Sequence, residues 1–308
     1  MIEIKTEHLA VLSEIVPEKT NISILNQEVE QLEEHITEMK QAKIIDEYGE
    51  ITEKYQPIIE HLAKTTQIVD ISYIGRYYPF QHALHYYQDK VLSVFSVGDI
   101  IQIEDASDEI GFELLENYFG RSGIHQGVCI ETNKNEALIL AAIFDIQRKY
   151  NMYALLKEDE TQSFRSIKKE DIKKFIENSH QPSWQWLTNI VKKQTDHKKV
   201  NFQDDMSNLI NKGHVIERNP GEYSLGTELN KVVNGAYEVQ NLLNTTVINE
   251  DEQVIYNEMI VFQFGSSDFL LFEYLNEKAT FISISSDGIL NYLEDLLKNK
   301  GSIKKGSV

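Results

Sequence analysis

The sequence predicts an α+β fold in which one unit occurs twice, related by a quasi-two-fold axis, with a central antiparallel β-sheet flanked by two helical bundles. Three observations carry that prediction. The chain reads as helices, then β-like runs, then a helical middle, then β-like runs again. A turn around Gly49 returns around Gly221 at an offset of 171 to 172 positions, with two apolar residues before a Gly-Glu-apolar-hydroxyl sequence in both copies. The helix after each turn repeats its apolar stripe: Tyr55, Ile58, Ile59 and Leu62 recur as Leu229, Val232, Val233 and Ala236. Self-similarity in this order points to duplication.

Taken in order, a short first helix ends at Pro17, which cannot continue it. Asn21 or Ser23 then caps an amphipathic helix with Leu25, Val29, Leu32, Ile36 and Met39 on one face. The turn Lys43 to Thr52 follows, and Thr52 is placed to cap the third helix. Four runs rich in β-branched and aromatic residues, 67–74, 81–87, 91–97 and 99–103, are broken by Gly75, Pro79, Asp89 and Gly98, as in an antiparallel meander. Ser107-Asp108 then opens a helix that stops at Gly120.

The middle holds a short strand at Val128 to Ile130, a helix from Asn133 or Asn135 to Tyr150, and helical segments near 168–177 and 184–192. The cluster Lys192, Lys193, His197, Lys198 and Lys199 reads as a solvated helix end. Strands at 245–248, 258–264, 268–274 and 279–284 form the second meander, and Ser286-Asp287-Gly288-Ile289 matches Ser107-Asp108-Glu109-Ile110 as a closing helix start. The chain therefore divides into a first repeat at 1–120, a middle segment at 121–200 and a second repeat at 201–308, together one compact domain. Pairing the two meanders covers an exposed edge of each.

Composition limits the function. Among 308 residues, 49 are acidic and 30 basic, so the formal charge is −19. A surface this acidic repels phosphate backbones, which excludes nucleic acid as a natural partner. No signal peptide is visible, and the longest apolar run, Ala137 to Phe144, is too short to span a bilayer. The single Cys129 reads as a small buried hydrophobe in a reduced cytosol.

No catalytic, cofactor or metal constellation emerges. His82 and His85 are three apart, which on a strand sends them to opposite faces. Gly265 to Asp268 lies between two strands as a hairpin turn, without the spacing of a phosphate loop. Asp105, Ser107, Asp108 and Glu109 do not continue as a calcium loop, and helix capping accounts for them. The expectation is a protein that is not an enzyme and carries no cofactor.

One hairpin tip stands out. Gly75-Arg76-Tyr77-Tyr78-Pro79-Phe80 puts three aromatics and an arginine where a solvated turn carries Asn, Asp or Gly. Such residues dominate interface hot spots, so Arg76, Tyr77, Tyr78 and Phe80 are the candidate partner-binding residues. The corresponding tip in the second half, Asn249-Glu250-Asp251-Glu252-Gln253, is acidic.

With these segments in view, the chain resembles the EspG family of type VII secretion chaperones. The resemblance rests on the N-terminal helices, the Ala42 to Asp46 turn leading into Ile51 to Leu62, the strands from Gln67 to Ile103, the helical middle and the second strand set. It implies a cytoplasmic chaperone that binds the helical tip of a secreted substrate, keeps it soluble for export, and hands it to the secretion machinery. It also implies that the loop between the second and third strands of the sheet, here Gly75 to Phe80, belongs to the binding surface. The Lys-, Ile- and Asn-rich composition suits a low-GC Gram-positive source, for which the expected clients are helical proteins of the WXG100 or LXG type. An acidic immunity protein that neutralises a secreted toxin is the rival reading. A winged-helix regulator fits less well, because the Leu25 to Met39 helix carries Glu28, Glu30, Glu33, Glu34 and Glu38. An uncharacterised enzyme is the remaining alternative.

Overall fold

A computed structural model describes residues 2–26, 32–75, 80–106, 127–157, 166–178, 180–181, 183–193, 195, 200–250, 257–264, 268–275 and 278–298. Its centre is a ten-stranded antiparallel sheet. The strands are β1 (Ile2–Lys5), β2 (Gln67–Gly75), β3 (Phe80–Tyr87), β4 (Lys90–Val97), β5 (Ile100–Asp105), β6 (Cys129–Asn133), β10 (Val239–Asn249), β11 (Asn257–Phe264), β12 (Asp268–Leu275) and β13 (Lys278–Ile284). Their order across the sheet is β1-β5-β4-β3-β2-β10-β11-β12-β13-β6. The order is symmetric about its middle: two meanders meet at β2 and β10, and each outer edge is closed by a short strand that leads directly into a helix.

The junction is the feature that turns two meanders into one sheet. Gln67 to Gly75 pairs residue for residue with Asn249 to Asn241, without a bulge. Each strand alone would present a row of unpaired backbone groups, and the pairing satisfies both rows at once. The predicted meanders are therefore present, with β10 beginning six residues before the predicted Thr245. The edge strand β1 was not expected; its pairing with β5, from Ile2↔Ile103 to Lys5↔Ile100, spans about a hundred residues and leaves no local pattern.

Helices α1 (Thr6–Ile15), α2 (Leu32–Gln41) and α3 (Gln56–Ala63) cover one face of the first half, packing Leu9, Leu12, Met39, Ile59 and Leu62 onto Leu92, Val94, Ile101 and Ile103. On the same face of the second half lie α4 (Lys134–Lys157), α5 (Lys169–Glu177), α6 (Leu187–Lys193), α7 (Phe202–Asn211) and α8 (Thr227–Gly235), with a small sheet of β7 (Ile167–Lys168), β9 (Glu222–Leu225) and β8 (Val215–Asn219). Their core includes Phe262, Phe264, Phe272 and Phe281 from the sheet. Ala137 to Phe144 is buried throughout, as befits a helix surrounded by other elements. The opposite face is covered in its second half by α9 (Ser286–Lys298), through Ile289 and Leu290 against Val261, Phe269 and Leu271.

The repeated turn has a left-handed glycine at its tip in both copies, but Ile45 and Ile51 make a single bridge in the first whereas β8 and β9 form a hairpin in the second. Gly49 at φ +87° and Gly221 at φ +75° sit at the two tips, in a backbone conformation that glycine adopts without a Cβ penalty. Thr52 N donates to Ile44 O, and Gly226 N donates to His214 O. Thr52 does not cap α3 with its hydroxyl. That group donates backward to Lys43 O at 2.8 Å and so closes the turn, while Pro57 occupies the first turn of the helix.

Other local expectations shift similarly. Asn133 is the cap of α4: its Oδ1 accepts from Glu136 N at 2.9 Å, and Glu136 Oε2 accepts from Asn133 N at 3.2 Å. The cap of α9 is Ser285, whose Oγ accepts from Gly288 N at 3.0 Å, and not Ser286. Lys192 is not simply solvated; its Nζ donates to Ile176 O and Glu177 O and satisfies the last carbonyls of α5. Cys129 is exposed, because the alternation of β6 turns Ile130 and Thr132 inward and residues 129, 131 and 133 outward. The second helix is described from Leu32 to Gln41, shorter than the predicted stripe, of which Val29 lies outside the described residues. The helix expected at 107–120 also lies outside them, as do residues 265–267 of the hairpin turn and His197, Lys198 and Lys199 of the basic cluster.

His82 and His85 point to opposite faces, as strand parity requires. His82 bonds Ser93 Oγ, whereas His85 lies under α3, with Thr65 Oγ1 3.4 Å from its Nδ1 and His61 Nε2 2.8 Å from its carbonyl. Burial, with a smaller contribution from His61, pushes His85 down to about 4, and burial lowers His61 as well. A depressed folded pKa means that the unfolded chain binds the proton first. The stability due to His85 is therefore complete above about pH 6.5 and falls as the pH drops to about 4, by on the order of 3 kcal/mol. Urea midpoints measured from pH 7 to pH 4 should decline, and His85→Gln should flatten that decline.

Candidate functional site

The antiparallel register defines a common end of the sheet, here the upper end, where β2 finishes and β3 starts. Strand direction places the β4–β5 turn, the start of β10, the end of β11 and the start of α9 at the same end. Gly75 closes β2 beside Asn241; a Cβ there would come within 2.6 Å of the Tyr73 ring and 2.9 Å of Asn241 Oδ1. Of the predicted binding residues, Arg76, Tyr77 and Tyr78 lie outside the described residues. Phe80 is placed by its backbone as the first residue of β3, paired with Tyr73.

Several large apolar side chains toward this end of the sheet are exposed. Val97 and Ile100 face each other across the β4–β5 turn, and Val97 is 57% exposed. Tyr237, just before β10, is exposed. The end of α4 adds three more: Tyr153, Leu155 and Leu156, the last 79% exposed. This helix starts at the lower end of edge strand β6 and crosses toward the middle of the sheet, where Phe144 and Arg148 meet Phe264 at the top of β11. Nine residues continue past Arg148, a rise of about 13 Å, so its last turns overhang the upper end. Six of the seven large apolar side chains exposed among the described residues thus lie toward one end of the sheet, Val97 and Ile100 on the face opposite α4; Tyr48, on the Gly49 turn, is the seventh.

A buried ion pair holds this end in place. Asp145 and Arg148 are 0% and 1% exposed and meet at 2.9 Å. Asp145 Oδ2 also accepts from Thr188 N and Thr188 Oγ1, both at 2.7 Å, which ties α4 to α6. Arg148 donates to Gln185 O at 2.9 Å and to Tyr237 O at 3.1 Å. Gln185 in turn brackets Val239, donating to its carbonyl at 2.8 Å and accepting from its N–H at 3.0 Å. Burial pushes the Asp145 carboxyl up and the Arg148 guanidinium down, and the charge of each opposes the shift in the other. Three donors on the carboxylate keep the pair ionised.

Sequence reasoning singled out the hairpin tip but missed the overhang and the ion pair. The predicted helix ends at Tyr150, short of Leu155 and Leu156. Asp145 and Arg148 were not singled out; the signal available for them was the wholly apolar run Ala137 to Phe144 directly before them.

No family model matches the chain, and no curated protein sequence matches it. Among solved structures it is similar to the Mycobacterium tuberculosis type VII secretion system chaperone EspG5, determined in complex with a PE25–PPE41 dimer. The TM-score is 0.51 at 8% identity, over 96% of this chain and 95% of that one. The likeness is one of fold, across nearly the whole of both chains. No described helix is long and apolar enough to cross a membrane.

Proposed function

We propose that this protein is a non-catalytic chaperone that covers the apolar tip of a helical export substrate, through the upper end of its sheet. The observation that carries the reading is the gathering of exposed apolar side chains at that end, in a chain whose formal charge is −19. Exposed apolar side chains on both faces of one sheet end suit a partner that caps that end, and the chain's negative charge keeps both the free protein and its complex soluble. The size suits the occupant. From β5 to β10 the sheet advances four strand spacings, about 19 Å. Two packed helices, each about 10 Å across, present a tip of about 20 Å.

Fold similarity to a chaperone solved with a PE–PPE dimer supports a helical secreted client of the same general kind. The finer assignment, a WXG100- or LXG-type client in the cytoplasm, with handover to the secretion machinery, is part of the proposal. Affinity purification of the tagged protein from its own cells tests it: a small helical exported protein should co-purify.

A further inference from the structure

A second surface lies on the helical subdomain of the second half and shares no residue with the upper end of the sheet. Helix α5 turns Ile172, Phe175 and Ile176 inward, which leaves Lys169 and Lys173, one turn apart, on a neighbouring face. Both ammonium groups sit over the ring of Phe202 at the start of α7, 5.4 and 5.3 Å from its centroid. Between the helices is a cavity of about 720 Å³, with Ile176, Val200 and Phe202 on its apolar side and the two lysines at its rim. That volume is in the range of specific binding clefts.

The charge pattern is unusual for this molecule. Lys169 donates to Gln203 Oε1 at 3.2 Å, yet among the described residues neither lysine has a carboxylate within ion-pair distance. Two like charges one helical turn apart repel, and an acidic chain has carboxylates to spare. Glu177, one turn beyond Lys173 and lining the same cavity, forms no ion pair among the described residues.

We propose that this groove docks an acidic segment of a partner polypeptide, with carboxylates at Lys169 and Lys173 and an apolar side chain against Phe202. A small inorganic anion would use the lysines and leave the apolar side bare; a segment mixing Asp or Glu with Phe or Leu uses both. The groove carries two lysines against one carboxylate, Glu177, on a negative molecule, so it favours an acidic segment that the rest of the surface repels.

The test is fluorescence anisotropy of the full chain with a dye-labelled peptide of Asp and Glu flanking one Phe. Its amide twin, with Asn and Gln in place of the acids, is the control. The acidic peptide should bind in the micromolar range, and at least tenfold more weakly to K169E/K173E and to K169Q/K173Q. Both lysines are on the surface, and unchanged thermal melting will establish that the variants are folded. Equal binding to wild type and both variants, or equal binding of the amide twin, would overturn the proposal. So would displacement of the peptide by equimolar pyrophosphate, which would assign the groove to free anions.

Discussion

Arg148→Ala should cost about 3–5 kcal/mol of stability, more than any other polar substitution among the described residues. It strands Asp145, a fully buried carboxylate, with its charge uncompensated. It also removes the donors to Gln185 O and Tyr237 O, and with them the link between α4 and the start of β10. The urea midpoint should fall with the slope unchanged, because the native state remains compact. Asp145→Leu combined with Arg148→Met should recover only part of the loss, since it removes the stranded charge but leaves Thr188 N and Oγ1, Gln185 O and Tyr237 O without these partners. A double variant as unstable as Arg148→Ala would mean that shape, rather than charge, holds this junction.

The second large effect is on partner binding. Tyr77→Ala and Phe80→Ala should each weaken the client complex by about 1–4 kcal/mol if they anchor it. Leu155→Asp with Leu156→Asp should weaken it at least as much, because a carboxylate on the overhang must be desolvated against an apolar client tip. Both leucines are exposed, so the thermal stability of the free protein should not fall. Calorimetry with the purified client separates the contributions. Wild-type affinity in the leucine variant would remove α4 from the surface, and wild-type affinity in both tip variants would remove the hairpin.

What was legible in the sequence and what was not divides by the range of the interaction. The duplication could be read because its marks are local: a glycine at a turn tip, a stripe three and four residues apart, β-branched runs between breakers. That the two meanders pair edge to edge followed from those marks; that the edges which meet are β2 and β10 is seen only in the structure. Strand β1 could not be read from Ile2-Glu3-Ile4-Lys5, because only its distant partner β5 makes it a strand. Thr52 and Ser286 were each plausible caps by residue type, yet the hydroxyl of Thr52 is committed to the preceding turn and the cap of α9 belongs to Ser285. Exposure of Cys129, Leu155 and Leu156 depends on where a strand or helix runs relative to the sheet, which no local pattern records. The hairpin tip was named from its residue types alone, and the apolar side chains that surround it came into view only once the strands were placed.

Affinity purification from the native cells bears most directly on the central claim that the upper end of the sheet covers a helical client. A small helical exported protein should be recovered in stoichiometric amount with the wild-type chain, and lost with Leu155→Asp/Leu156→Asp. Recovery of a toxin's catalytic domain instead, or of the same helical protein undiminished with that variant and with Tyr77→Ala and Phe80→Ala as well, would contradict it.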